Sequence, residues 1–275
     1  PTAASFAQAV GCQESSVSEI FDRIKEKLAR EPIEDLRIDF EDGYGRRGDE
    51  QEEQHLESAL KVYGSLRVPF IGIRMKAMEE VTRLRALKTL DKFVTGLLEL
   101  GSYPDNFIIT LPKVTFPEQV DVMVTACEKI EKDLALSSGT IRFEIQIETT
   151  QAILDQQGRA TAAQYIDRAQ GRLSAFHYGT YDYSAAAGIS SAYQTLDHPA
   201  ADFAKSILQV AIAGTTVRMS DGSTNILPIG TKQEVHAAMH NHYRLVRRSL
   251  ERGIYQGWDL HGSQLPTRIA ATWIF

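Results

Sequence analysis

Seven side chains in this 275-residue chain have the types and spacing for chemistry on an oxygen-rich small molecule. Glu41 and Asp42 end the segment LRIDFED, Arg74 ends FIGIR, and Lys113 follows IITLP. Gln146 and Glu148 lie in RFEIQIET, and Asp182 closes FHYGTYD. Each segment reads as a β-strand, so each side chain sits at or near a carboxyl-terminal strand end. In a parallel sheet these ends converge on one rim, where ligands bind. Carboxylates gathered there repel one another until a cation joins them, and a divalent metal ion answers that requirement directly. Magnesium takes six oxygens, keeps several waters and needs only one or two protein carboxylates, which leaves positions for a chelating oxo acid. Arg74 adds a fixed, bidentate positive charge that lysine does not reproduce.

The elements that must position these groups follow from hydrophobic periodicity. Strands are expected at 36–42, 69–75, 106–114, 142–149, 175–182, 215–220 and 255–261, alternating with helical patterns. Helix starts are expected at three capping-box sequences: Ser16-x-x-Glu19, Thr115-x-x-Glu118 and Thr231-x-x-Glu234. Gly253 is expected to end the last of these helices. An amphipathic helix over 79–100 would bury Leu84, Leu87, Leu90, Val94 and Leu97. Seven strands after an opening helix predict a single-domain (β/α)8 TIM barrel over 1–275. Its first strand is expected to lie upstream of residue 1 or to be missing. Within two strands one face is charged: Arg37, Asp39 and Glu41 in the first, Glu144, Gln146 and Glu148 in the fourth. A buried strand is ordinarily apolar on both faces. The deeper pair Arg37 and Glu144 therefore reads either as an internal ion pair filling the barrel or as part of a site.

Composition bounds the partners. A net charge of −6 gives no support to a nucleic-acid or anionic-membrane surface. No apolar run reaches the ~20 residues of a membrane-spanning helix. Cys12 and Cys127 form neither a disulfide framework nor a zinc site, and a cytoplasmic location is expected. P-loop, GxGxxG and GxSxG sequences are absent, so kinase, dehydrogenase and serine-hydrolase readings have no support.

Six motifs occur in a telling order: DFEDG, IRMK, LPKV, QIET, the Gly179–Asp182 turn followed by SAAAG, and GWDLHGSQ. The chain from about Leu36 to Pro266 thereby resembles the citrate lyase β-subunit, malyl-CoA lyase and HpcH/HpaI aldolase family. The resemblance implies a TIM barrel and a lyase, with Mg2+ (or Mn2+) held by Glu148 and Asp182. It gives Arg74 the grip on a substrate carboxylate or enolate oxygen, and makes Glu41 and Asp42 outer-shell carboxylates. Gln146 and Lys113 would flank the substrate. The implied reaction makes or breaks a carbon–carbon bond beside a 2-oxo acid through an enolate stabilised by the metal. An acyl-CoA lyase of the citryl- or malyl-CoA type and a non-catalytic accessory subunit are the alternatives, and a homo-oligomer (trimer or hexamer) is expected. The chain departs from the family in three places. Asp42 stands where some aldolases carry His; Glu148 and Asp182 are 34 residues apart, which points to an extra loop at Gln156–Arg159; and the last strand ends His261-Gly262.

Among the remaining candidates, Lys113 is unsuited to a Schiff base because neighbouring carboxylates raise its pKa. His236 and His240 share a helix face without the Glu of a zinc motif. His261 reads equally as a site contact or a structural residue, whereas His177 alternates away from Asp182. Tyr178, Tyr181 and Tyr183 read as packing or as a pocket wall. The segment 221–225 reads equally as a turn or as an anion-binding loop.

Overall fold

A computed structural model of the chain describes residues 2–101 and 103–275. Three N-terminal helices, α1 (Ala3–Val10), α2 (Glu14–Ser18) and α3 (Phe21–Arg30), precede the first strand. The chain then alternates: β1 (Asp35–Asp39), α4 (Asp49–Tyr63), β2 (Phe70–Arg74), α5 (Arg83–Glu99), β3 (Phe107–Leu111), α6 (Glu118–Asp133) and β4 (Phe143–Ile147). It continues through α7 (Thr161–Arg168), β5 (Leu173–Tyr178), α8 (Thr180–Ala186), α9 (Pro199–Ile212), β6 (Arg218–Asp221), α10 (Lys232–Glu251), β7 (Gln256–Gly257) and α11 (Leu265–Ile274). The seven strands pair in parallel and in sequence order, β1 to β7. They make a curled half-barrel of the TIM-like kind. Seven strands is the number expected, and among the described residues no eighth strand joins β7 to β1 to close a barrel.

The strands hold because their outward side chains are apolar. Phe143, Ile145 and Ile147 of β4 are fully buried, in one core with Leu90, Phe93 and Leu97 of α5 and Val120, Met123 and Val124 of α6. Burying one such side chain contributes about 1.5–3 kcal/mol. A second core lies apart from this one. There Phe6, Val10, Val17, Ile20 and Ile24 of the N-terminal helical segment meet Ala270 of α11, with Met239 and Tyr243 of α10 against them.

The inward faces carry charge, as the alternation predicts. Arg37 donates to both carboxylate oxygens of Glu144, from Nε at 3.0 Å and Nη2 at 3.2 Å. Thr110 Oγ1 donates to Glu144 Oε1 at 2.6 Å, and His177 Nε2 lies 2.6 Å from Oε2. Trp258 Nε1 donates to the other ring nitrogen of His177 at 2.9 Å. Burial alone would raise the Glu144 pKa, but His177 and Arg37 more than offset this and hold it well below the usual carboxylate range. The Arg37–Glu144 pair is thus an internal filling of the barrel. His177 points to the axis, not away from it as the strand count implied.

Several boundaries differ from expectation. Ser16 lies inside α2, and α3 starts at Phe21 without a side-chain cap. Thr115 does not cap α6. Instead Gln119 Oε1 accepts from the N–H groups of Thr115 and Phe116 at 2.7 and 2.9 Å. Only the Thr231/Glu234 capping box forms as read, and Gly253 follows that helix with φ 78°. Leu84 is 78% exposed because α5 begins at Arg83 and turns this residue outward. Between β4 and α7 the chain makes a loop that includes Gln156–Arg159. Leu154 and Ala160 bridge antiparallel around a turn in which Asp155 Oδ1 accepts from the N–H groups of Gln157 and Arg159.

Asp259, just past β7, ties this end of the sheet to the last two helices. It accepts from His242 Nε2 and Arg268 Nη2, both at 2.9 Å, and from Arg268 Nε. Burial raises its pKa, but His242 and Arg268 more than offset this and bring it down to about 2. A carboxylate whose folded pKa is depressed stabilises the fold above its unfolded pKa and loses that stabilisation as pH falls. Asp259→Asn is expected to cost about 2–3 kcal/mol at neutral pH. Urea melts against pH check this, since the gap to wild type must close between about pH 4 and pH 2.

Candidate metal centre

β4 delivers Glu148 one residue beyond its last paired position. The carboxylate is 2% exposed. Its Oε2 accepts the Lys113 N–H at 3.0 Å, whereas its Oε1 is buried without a hydrogen-bond partner among the described residues. Burial first, and the charge of Asp182 second, push its pKa well above the usual carboxylate range. An orphaned anionic oxygen of this kind is costly unless a cation meets it.

Asp182 reaches the same place by a different route from the one expected. β5 stops at Tyr178, and the Gly179 N–H makes the last contact with Ile147 O at 2.8 Å. Tyr183 N then bonds Gly179 O, which starts α8, and Asp182 lies in its first turn. Asp42 completes the group: Asp42, Glu148 and Asp182 each offer an oxygen within 4.8 Å of the other two. The cluster therefore has three carboxylates, not the pair that the motifs singled out. Its hard oxygen donors suit magnesium or manganese in preference to zinc or copper.

Arg74, at the end of β2, stands beside them. Its Nε and Nη2 donate to Asp39 Oδ1 and Oδ2 at 2.8 and 2.5 Å, and Nη1 donates to Gln146 Oε1 at 3.1 Å. Those bonds use three of the five guanidinium N–H groups, and Glu41 Oε2 lies 3.9 Å from Nη1 as a looser ion pair. Asp39 was visible in the charged face of the first strand, but its role as the clamp on Arg74 was not. The Glu41 and Gly43 N–H groups fix Asp39 in turn, at 2.9 and 2.8 Å. Burial opposes the ionised Asp39, yet Arg74 holds its pKa below the ordinary value.

Lys113 bridges the first and third strand ends. Its Nζ donates to Glu41 Oε1 and Asp42 Oδ1, both at 2.7 Å, and these carboxylates drive its pKa up against the effect of burial. That argues against Schiff-base chemistry, as expected. Lys113 has φ 51°, a left-handed conformation that costs a non-glycine residue about 1–2 kcal/mol. The conformation aims its N–H at Glu148 while its ammonium reaches Glu41.

The other candidates fall outside the cluster. His261 spends its ring on capping Ser263 N at 3.1 Å, and His240 bonds Val10 O at 3.1 Å. Tyr178 is buried beside Tyr183 and Lys205. Asp221 is paired with Lys205 at 3.0 Å and Ser249 at 2.6 Å, so the segment 221–225 is anchored structure.

Glu148→Gln replaces a buried carboxylate whose ionised form the metal-free site disfavours, and it keeps the shape. It is expected to raise the melting temperature in a chelating buffer by a few degrees, for a gain of about 1–3 kcal/mol. It should also abolish the further rise that magnesium gives the wild type. Calorimetry with and without magnesium reads both effects, and a lower melt for the variant would contradict the orphaned carboxylate.

The fold is shared with solved structures of low sequence identity. A citrate lyase from Burkholderia xenovorans LB400 superposes with a TM-score of 0.68 at 19% identity, covering 92% of this chain and 73% of that one. The malate synthase of Haloferax volcanii, in a magnesium and glyoxylate complex, gives 0.65 at 15%, covering 86% of this chain. The chain spans 65% of that enzyme's length, just under two thirds. The citrate lyase β subunit of Mycobacterium tuberculosis, complexed with oxaloacetate and magnesium, gives 0.59 at 17%, covering 92% of both chains. No curated protein matches the sequence. Residues 1–275 match throughout the family described as "Domain of unknown function (DUF6986)", and the chain belongs to that family.

Proposed function

We propose that this chain is a magnesium-dependent carbon–carbon lyase of the aldolase type, acting on a 2-oxo acid, with manganese as a substitute ion. The observation that carries the reading is Oε1 of Glu148, buried and unpartnered among the described residues, within a three-carboxylate cluster at the carboxyl rim of the sheet. Glu148 and Asp182 would hold the ion, with Asp42 as a third oxygen or as the acceptor for a coordinated water. When bound, the ion supplies positive charge that polarises the oxo group and stabilises the charge left as the carbon–carbon bond breaks. Arg74 offers its remaining N–H groups to the substrate carboxylate, and Asp39 and Gln146 fix their direction. Lys113 holds Glu41 and Asp42 back from that carboxylate. In an aldol-type cleavage the hydroxyl of the substrate gives up its proton and becomes the carbonyl of one product. The carbon–carbon electron pair passes to the enolate of the oxo acid, and uptake of a proton on carbon completes the second product. The whole of residues 1–275 serves as one catalytic domain in this reading, within a homo-oligomer.

Two of the structural neighbours named above support the substrate class, since one is complexed with oxaloacetate and the other with glyoxylate, each with magnesium. A second reading is an acyl-CoA thioester as the carbon acid. It is favoured by a further malate synthase complex of the same fold, which holds pyruvate and acetyl-CoA.

Proton NMR in D2O separates the readings. Pyruvate is expected to lose its methyl signal only with protein and magnesium together. Asp182→Asn should slow that exchange by about 10²–10³-fold, as loss of a charge-stabilising group does. Arg74→Lys should retain metal affinity while weakening pyruvate binding. Exchange of the acetyl-CoA methyl in place of pyruvate would establish the second reading, and exchange of neither would remove the lyase reading.

A further inference from the structure

Two glycines touch the elements that carry Glu148 and Asp182, and neither is there for its backbone conformation. Gly179 has φ −92°, open to any residue. A Cβ on it would lie 2.4 Å from Glu148 Cγ and 3.1 Å from Ile147 O. A Cβ on Gly222 would lie 2.3 Å from Thr180 Oγ1 and 2.5 Å from Tyr178 O. At Gly222 the Tyr178 carbonyl fixes the limit, and at Gly179 the atom in the way is Glu148's own Cγ, so a larger residue there must push the carboxylate's side chain aside.

The segment after β6 is also wired to α8 by hydrogen bonds. Thr180 Oγ1 donates to Ser223 O at 3.1 Å, and Asn225 N donates to Tyr181 Oη at 2.5 Å. Its far side is held by Gln264 Nε2, which donates to Thr224 O at 3.0 Å. At its root, Gly222 N donates to Asp221 Oδ1 at 2.9 Å, and Asp221 is locked by buried Lys205 and Ser249. The first turn of α8, and with it Asp182, is thus held between β4 on one side and the loop after β6 on the other.

We propose that Gly179 and Gly222 are positioning residues that set the separation of the metal ligands Glu148 and Asp182, with Tyr181 as the latch. The proposal rests on the reading of the carboxylate cluster as a metal centre. Gly179 lets the turn into α8 lie directly on the Glu148 side chain, and Gly222 lets the next loop close over Thr180. A metal site tolerates little displacement, and changes to groups that orient its ligands cost about 10–100-fold in affinity.

The test is Mn2+ binding, followed by electron paramagnetic resonance of the free ion, with circular dichroism and a thermal melt as fold controls. Wild type is expected to bind Mn2+ in competition with Mg2+. Gly179→Ala and Gly222→Ala should each weaken binding about tenfold or more. Tyr181→Phe adds no volume and removes the hydroxyl that joins α8 to Asn225 N–H and the Thr224 side chain, so it reports on the latch even if an alanine variant fails to fold. It should weaken binding several-fold. Gly64→Ala, with φ −62° and nothing within 4 Å of the added carbon, should leave binding unchanged. Folded alanine variants that bind Mn2+ like wild type overturn the positioning role, as does a Tyr181→Phe variant with unchanged affinity. A wild-type protein that binds no Mn2+ removes the metal centre itself, and this proposal with it.

Discussion

Uneven compensation of buried negative charge along the sheet's inner face governs this structure. Deep in the half-barrel Glu144 is matched: Arg37 and Thr110 donate to it and His177 lies 2.6 Å from its second oxygen. One layer up, Asp39 is matched by Arg74 and two backbone N–H groups. At the rim the matching fails. Lys113 covers Glu41 and Asp42, while Glu148 keeps one oxygen with no partner among the described residues. Glu144 is met from three sides in the layer below, so the unmatched oxygen of Glu148 belongs to the rim. Removing one partner of a buried ion pair is strongly destabilising, so the lower layers also lock the strand registers that carry the rim.

The rim in turn depends on how strands become loops. Lys113 adopts a left-handed backbone so that one residue serves both Glu148 and the first strand's carboxylates. Asp182 depends on β5 ending early, so that a helical turn and not a strand presents its carboxylate. Strain and an abrupt strand-to-helix change both lie within a few residues of the cluster. Functional sites commonly hold such strain, and the surrounding packing must over-determine it.

Much of this was legible in the chain because a period of two leaves a plain record. Arg37, Asp39 and Glu41, and likewise Glu144, Gln146 and Glu148, share an inner face by alternation alone. Alternation does not decide whether Arg37 and Glu144 pair inside or belong to a site; the structure joins them. Turn and boundary chemistry was less legible. The run Ala175–Asp182 reads as one strand since nothing in it marks where β5 stops. The stop comes from the Gly179 N–H bonding to Ile147 O, a contact with a strand distant in sequence. Ser16 and Thr115 have the right residues three positions before a Glu, but a capping motif works only where a helix begins. At α6 the same duty passes to Gln119, which reaches back from inside the helix. His177 was misplaced for a related reason: the parity of β5 was counted from Asp182, which lies beyond the strand.

The charge inventory at the rim explains why an ion, and a divalent one, is the natural complement. Asp39, Glu41, Asp42, Glu148 and Asp182 face Arg74 and Lys113 as their cations, so five carboxylates meet two positive groups. Neither cation is free to move to Glu148. Arg74 is tied by both oxygens of Asp39, and the Lys113 ammonium lies between Glu41 and Asp42. A further lysine would neutralise one charge and occupy the space with its stem. A magnesium ion neutralises two, takes oxygens from several directions at once and retains coordination positions for water or substrate. Even then the cluster stays negative overall, which gives the remaining N–H groups of Arg74 their importance. In the proposed reading they are the fixed donors that would meet an anionic substrate at a rim that otherwise repels it.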